Sequence, residues 1–219
     1  MFGDFDTGVI FDNLHFLVEG MQTTLVLTLI AIGGGLILGT LLALARLSRF
    51  RALSFCAGSY VNFFRSMPLI LVIFWFYFLV PHVVGRPVGG FYSVLVAFVM
   101  FEAAYYCEIM RAGIQSVRKG QIYAGQALGL SYAQNMRYVV LPQAFRNMVP
   151  ILMTQAIILF QDTSLVYVVG IKDFLVSADL VANRENRILE MFTTVALVYF
   201  VICLSGSLLV KRLQRKFAR

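Results

Sequence analysis

Charge is scarce in this 219-residue chain: only 13% of its residues are charged, 18 of them Lys or Arg and 11 Asp or Glu. With 60% hydrophobic residues and a mean hydropathy of +0.82, that scarcity excludes a soluble domain of ordinary composition and points to an integral membrane protein. Cysteine and histidine are almost absent too. Cys56, Cys107 and Cys203 are odd in number and far apart, so neither a disulfide framework nor a metal site is expected of them. His15 and His82 stand alone, with no Cys or acidic partner at ligand spacing, which reads as two loop histidines rather than a metal centre. The opening stretch MFGDFDTGVIFDNLHF carries Asp4, Asp6 and Asp12 but no Lys or Arg; it lacks the basic start of a cleavable signal peptide, and the first span is expected to serve as its own anchor. No nucleotide-binding loop is present either. Its nearest imitation, GGLILGTL at 34–41, has threonine where lysine is required and lies in mid-span. With no Ser/His/Asp or Cys/His constellation to assemble, the chain is not expected to be an enzyme or to hold a cofactor.

What is there is long apolar runs. Met21 to Ala45 is 25 residues without a charge, more than the roughly 30 Å hydrocarbon core needs at about 1.5 Å per residue. Ser66 to Gly85 and Met191 to Val210 are uncharged runs of 20. The uncharged Ala52 to Phe64 reads as an interfacial lead-in or as the first turns of the second span. Pro87 to about Met110, with Glu102 and Glu108, and Asn147 to about Ile171, with Asp162, complete five expected spans in an all-α membrane protein. The basic residues orient it. With the C-terminus cytoplasmic, Arg46, Arg49, Arg51, Arg111, Arg118, Lys119, Arg137, Arg146 and the tail cations put 13 of 18 on the inner side, against Arg86, Lys172, Arg184 and Arg187 outside and Arg65 in or beside the second span. The N-terminus is therefore expected outside. The same dispersal accounts for the formal charge of +7 without nucleic acid as a partner. Gly35 and Gly39 form a flat face on which another backbone approaches closely.

Between the third and fourth runs lies a polar, glycine-punctuated segment, GQIYAGQALGLSYAQNMRYVVLPQA at 120–144. Tyr123, Ala124 and Gly125 are followed after three residues by Gly129, after nine more by Val139, and then by Leu141 and Pro142. A short helix from Gly120 to about Leu128 would show small Ala and Gly side chains, including Ala127, to a groove; Gly129 would make the turn after it and Pro142 start the next helix. This spacing resembles the cytoplasmic loop of ATP-binding-cassette importer permeases, which reads Glu-Ala-Ala, three residues, Gly, nine residues, Ile, one residue, Leu-Pro. Here Tyr123 stands in place of the acid and Gly125 in place of the second alanine. The literal Glu102-Ala103-Ala104 is a decoy inside the third span, with Glu108 where the glycine belongs.

The resemblance runs from about residue 19 to 211 and is carried also by YVNFFRSMPL, FEAAYYCEIMRAGIQSV, LPQAFRNMVP and LFQDTSLVYV; these look most like the glutamate/aspartate-type members of the polar amino acid permeases. It implies a type I importer permease fold: an external segment at 1–18, a permease domain at 19–211 with a coupling loop at about 112–146, and a basic cytoplasmic tail at 212–219. It implies a second related permease or a second copy, two cytoplasmic ATPase subunits that use the ATP, an external solute-binding protein, and the inner membrane as location. Another polar amino acid, glutamine, histidine or arginine, is the alternative cargo. A secondary transporter and a purely structural subunit are the alternative classes. An ionisable side chain at mid-span costs about 2.5–3.5 kcal/mol on insertion scales, so Arg65, Glu102, Glu108, Arg111 and Asp162 become candidates for a functional role, the translocation path first, with Pro68, Thr163 and Ser164 beside them. Glu108 and Arg111, three apart, alternatively form a structural ion pair. Asp162 with its hydroxyl neighbours lines a cavity, bonds between helices or contacts cargo. Arg65 is the better partner for a cargo carboxylate.

Overall fold

A computed structural model describes residues 5–86 and 89–217; Asp4, Arg219 and the expected third-span start at Pro87 lie outside them. The chain runs α1 Gly8–Asp12, α2 Leu14–Arg46, α3 Arg51–Arg65, α4 Leu69–Phe74, α5 Val80–Val84, α6 Gly90–Gln115, α7 Lys119–Ala127, α8 Tyr132–Asn135, α9 Leu141–Asp162, α10 Phe174–Glu185 and α11 Ile188–Phe217. Four helical segments are individually long and apolar enough to cross a bilayer: 14–46, 90–115, 132–169 and 188–217. A fifth crossing is broken, with Arg51–Arg65 and Leu69–Val84 meeting at 105°. Five spans thus hold if the bent pair counts as one, with Ala52 to Phe64 in its first arm, a helix separate from the arm that follows Pro68. Pro68, extended at ψ 136°, starts the second arm, because its ring fixes φ and removes a donor that a continuous helix would need.

The expected boundaries move in three places. α2 begins before residue 18 and α11 runs past residue 211, so the proposed terminal segments are partly helical continuations of spans. The fourth long helix starts not at Pro142 but at Ser131, where a capping box closes: Gln134 N donates to Ser131 Oγ at 3.3 Å and Ser131 N donates to Gln134 Oε1 at 2.9 Å. Pro142 is passed in mid-helix by a π-helical turn at Met136–Val140, whose wider winding absorbs the missing N–H. A second π turn at Trp75–Leu79 precedes Pro81 in the same way. Finally, α10 fills the connection between the last two spans, an amphipathic piece that the apolar runs did not show. Asp173 caps it, accepting from Val176 N at 2.8 Å, and Phe174 N donates to Thr24 Oγ1 of α2 at 3.0 Å.

The main core is where α2, α3, α4 and α6 meet, around Leu27, Ala31, Val61, Val72, Val94 and Phe98. α2 lies along α6 because Gly39 lets it: a Cβ there would come within 3.0 Å of Ala103 O and 3.1 Å of Cys107 N. That is the close backbone approach expected of the glycine face. Leu17, Phe174, Val181 and Met191 tie α10 and α11 to α2 in a second cluster, and Val117, Val140 and Ala144 form a third beneath α7.

Candidate functional site

The polar segment folds as an elbow standing off the bundle. α7 presents Tyr123, 61% exposed, and Leu128, 82% exposed, with Ala124 and Ala127 also on its open side. Gly129 ends it with φ +79°. Gly129 N donates to Gln126 O at 2.9 Å and Leu130 N to Gly125 O at 3.1 Å, the paired bonds of a helix end that needs a left-handed residue. Leu141 and Pro142 are exposed, and Val139 is half-buried.

One expected contact residue is not on the open side. Gly125 is buried and faces inward, where a Cβ would fall 2.5 Å from Asn135 Oδ1. Asn135 is itself buried, its Nδ2 donating to Ile122 O at 2.8 Å, so this amide clamps α7 to α8. A cleft of about 460 Å3 lies behind the elbow, lined by Ile114, Val117, Lys119, Ile122, Tyr132 and Met136 among others. No sequence signal marked Asn135, because its role depends on the space that Gly125 leaves.

The second group of candidates lies along α6 and the broken helix. Arg65, expected as a buried cation, is exposed on the surface of this chain; its guanidinium carbon lies 5.5 Å from the centroid of the Tyr105 ring, within cation–π range. It stands at the end of α3, directly before the bend and Pro68. Irregular backbone of this kind within a membrane segment is tolerated where it is buried in protein or lines a cavity. Glu108 and Arg111 do pair: Arg111 Nη2 donates to Glu108 Oε2 at 2.7 Å and Nε to the same oxygen at 3.2 Å. Arg46, counted from sequence only as an inner-side charge, reaches the other Glu108 oxygen from the last turn of α2.

Glu102 is fully buried and accepts from Gln155 Nε2 of α9 through both oxygens at 3.2 Å. That lateral bond was not foreseen, since nothing in the local pattern pairs positions 53 apart. Asp162 is half-buried at the end of α9. Thr163 is fully buried and its Oγ1 donates to Phe160 O at 2.7 Å, while Ser164 Oγ donates to Gln161 O at 2.8 Å. Nor does His15 stand alone, or sit in a loop: within α2, its Nδ1 lies 3.4 Å from Glu19 Oε1. Among the described residues no three metal-ligating side chains converge.

A family model described as "Binding-protein-dependent transport system inner membrane component" matches residues 35–219. The chain is 47% identical to the glutamate/aspartate import permease protein GltK of Escherichia coli O157:H7, over 98% of this chain and 99% of that one. It is 34% identical to the probable glutamine ABC transporter permease protein GlnM of Bacillus subtilis (strain 168), again over 98% and 99%. Among solved structures, that of an amino acid ABC transporter with histidines superposes with a TM-score of 0.92 at 31% identity, over 99% of this chain and 100% of the other.

Proposed function

This chain belongs to the family of binding-protein-dependent transport system inner membrane components, and from that premise we propose that it is one membrane half of an ATP-driven importer for acidic amino acids. The observation that carries the reading is the elbow: an exposed nine-residue helix, ended by a positive-φ glycine and followed at once by a capping box that starts the next helix, projecting from between two spans. Such an element has no use in a carrier driven by an ion gradient. It suits a lever to a separate subunit, so ATP binding and hydrolysis are assigned to two cytoplasmic ATPase partners and the pore to this chain with a second permease. Closure of the ATPase pair would press on α7 and, through Asn135 and the Val117–Val140–Ala144 cluster, tilt α6 and the helix from 132 to 169. An external binding protein delivers the cargo to the outward-open path.

The acidic cargo is supported by near-half identity to a relative named as a glutamate/aspartate permease and by Arg65, a fork-shaped cation beside the helix break. Guanidinium binds carboxylate bidentately, which gives geometry as well as charge. The inner-membrane location follows from the family; the N-terminus outside and the C-terminus inside follow from the basic residues.

The test is reconstitution of the four kinds of subunit in vesicles. ATP-dependent uptake of glutamate and aspartate is expected, each competing with the other, while arginine, histidine and glutamine compete weakly. Arg65→Ala should lower uptake about tenfold or more, the loss of a charge-assisted hydrogen bond worth about 1.5–3 kcal/mol, with ATPase co-purification unchanged. Arg65→Lys should restore it in part. Uptake by this chain alone, driven by a proton or sodium gradient, would overturn the assignment, and normal uptake by Arg65→Ala would remove Arg65 from the path.

A further inference from the structure

Two guanidinium groups gather around one carboxylate where α2 and α6 meet. Glu108 on α6 is held by Arg46 at the end of α2 and by Arg111 one turn further along α6. The local balance is therefore one positive charge: two arginines less one glutamate. The side chains are neither sealed nor free, with 18% of Arg46, 16% of Glu108 and 30% of Arg111 exposed. Arg111 has a further acceptor waiting, Gln115 Oε1 at 2.7 Å, so its guanidinium can give up a carboxylate without losing every partner. A guanidinium excess of this kind is costly in an apolar setting unless an anion visits it.

We propose that Glu108 is a stand-in for the cargo. Resting on the reading of this chain as a path for acidic amino acids, its carboxylate occupies Arg46 and Arg111 while the path is empty. It yields them to the side-chain carboxylate of the passing amino acid and takes them back. The exchange replaces one carboxylate by a chemically equivalent one, so no charge is left bare at any stage. It makes release to the inner side as easy as entry, because Glu108 competes for the same donors. A neutral or cationic amino acid has nothing with which to displace Glu108, so the same exchange discriminates by charge. Glu108 is thus a specificity-determining residue, distinct from a bridge that only ties α2 to α6.

Glu108→Gln keeps the shape of the side chain and removes its charge. In the purified complex without the binding protein, equilibrium dialysis should show glutamate bound about tenfold more tightly than in the wild type, the scale of one unit charge removed beside a partly buried site, and glutamine unchanged. Uptake should slow several-fold, because the cargo leaves late. Glu108→Asp should stay near the wild type. The double variant Arg46→Gln/Glu108→Gln restores the balance of one positive charge and should return glutamate affinity toward the wild-type value. Should Glu108→Gln alone fail to assemble, Arg111→Gln with Glu108 intact is expected to weaken glutamate binding and leave glutamine alone. Equal glutamate binding by the wild type and Glu108→Gln, no change in Arg111→Gln, or parallel changes for glutamate and glutamine would overturn the proposal and leave a structural bridge. A wild-type complex that imports glutamine or arginine but no acidic amino acid would instead overturn the cargo reading on which it stands.

Discussion

Asn135 explains at the scale of one residue why this chain departs from the importer motif at position 125. Its buried amide takes the volume that the Cβ of the motif's second alanine would fill, so glycine is required there by packing and not by backbone conformation. Gly125→Ala should lower the melting temperature of the solubilised complex, as an overpacked site costs about 1–3 kcal/mol, and Asn135→Ala in the same chain should recover part of it; an unchanged melting temperature for Gly125→Ala would refute the clamp. Asp173 makes a different prediction. Buried at the start of α10, its carboxyl is pushed up to about 6 by desolvation, against the helping hydrogen bonds of the α10 amides. Its folded pKa lies above the ordinary carboxylate range near 4, so between those values the folded chain holds a proton that the unfolded chain has lost. Stability from this group therefore falls as pH rises from about 4 to about 6 and stays lost above it. Asn caps helices as well as Asp does. Asp173→Asn should thus gain on the wild type across that window, by about 1–3 kcal/mol at pH 7. A constant difference between the two at pH 4 and pH 7 would show that Asp173 does not titrate there.

Elements carry the coupling. α7 can act as a lever only if its end is fixed, and Gly129 fixes it with a φ that costs a residue with a Cβ roughly 1–2 kcal/mol. Apart from its two chain neighbours, no heavy atom among the described residues lies within 4 Å of where that Cβ would be, so the open side of the turn is left to whatever docks on the elbow. Gly129→Ala should therefore be mild, bearing the backbone cost alone. Gly129→Asp should leave the spans inserted and the binding protein able to dock, yet abolish uptake, seen as lost co-purification of the ATPase or as hydrolysis no longer stimulated by the binding protein. Wild-type uptake by Gly129→Asp would sink the lever. The turn at Gly129 was legible from the resemblance to the importer loop, and glycine is the residue that most readily takes a left-handed helix end. The start of the next helix was equally present, as Ser131 and Gln134, but Pro142 outweighed it in the reading. Proline is a stop signal only for a regular α-helix, and a π turn lets one pass.

At the scale of the whole molecule, the orientation rests on the distribution of basic residues. Reporter tags at the two ends should answer from opposite sides of the membrane, the C-terminal one from the cytoplasm; two tags on one side would undo the count of five crossings. The sequence by itself determined that count, the placement of the elbow between two spans, the glycine face of α2 and the Glu108–Arg111 pair. Each is set by local physics: the length of an apolar run, a fixed spacing, the absence of a side chain, or one helical turn. Only the tertiary structure decided that the second crossing is bent by 105°, that Arg46 joins Glu108, that Gln155 answers Glu102, and that Thr163 and Ser164 turn back on their own helix. Those outcomes depend on which helix faces which across the bundle. An apolar run reports that it will be buried in lipid or protein, but carries no record of the neighbour that will supply the partner for a charge.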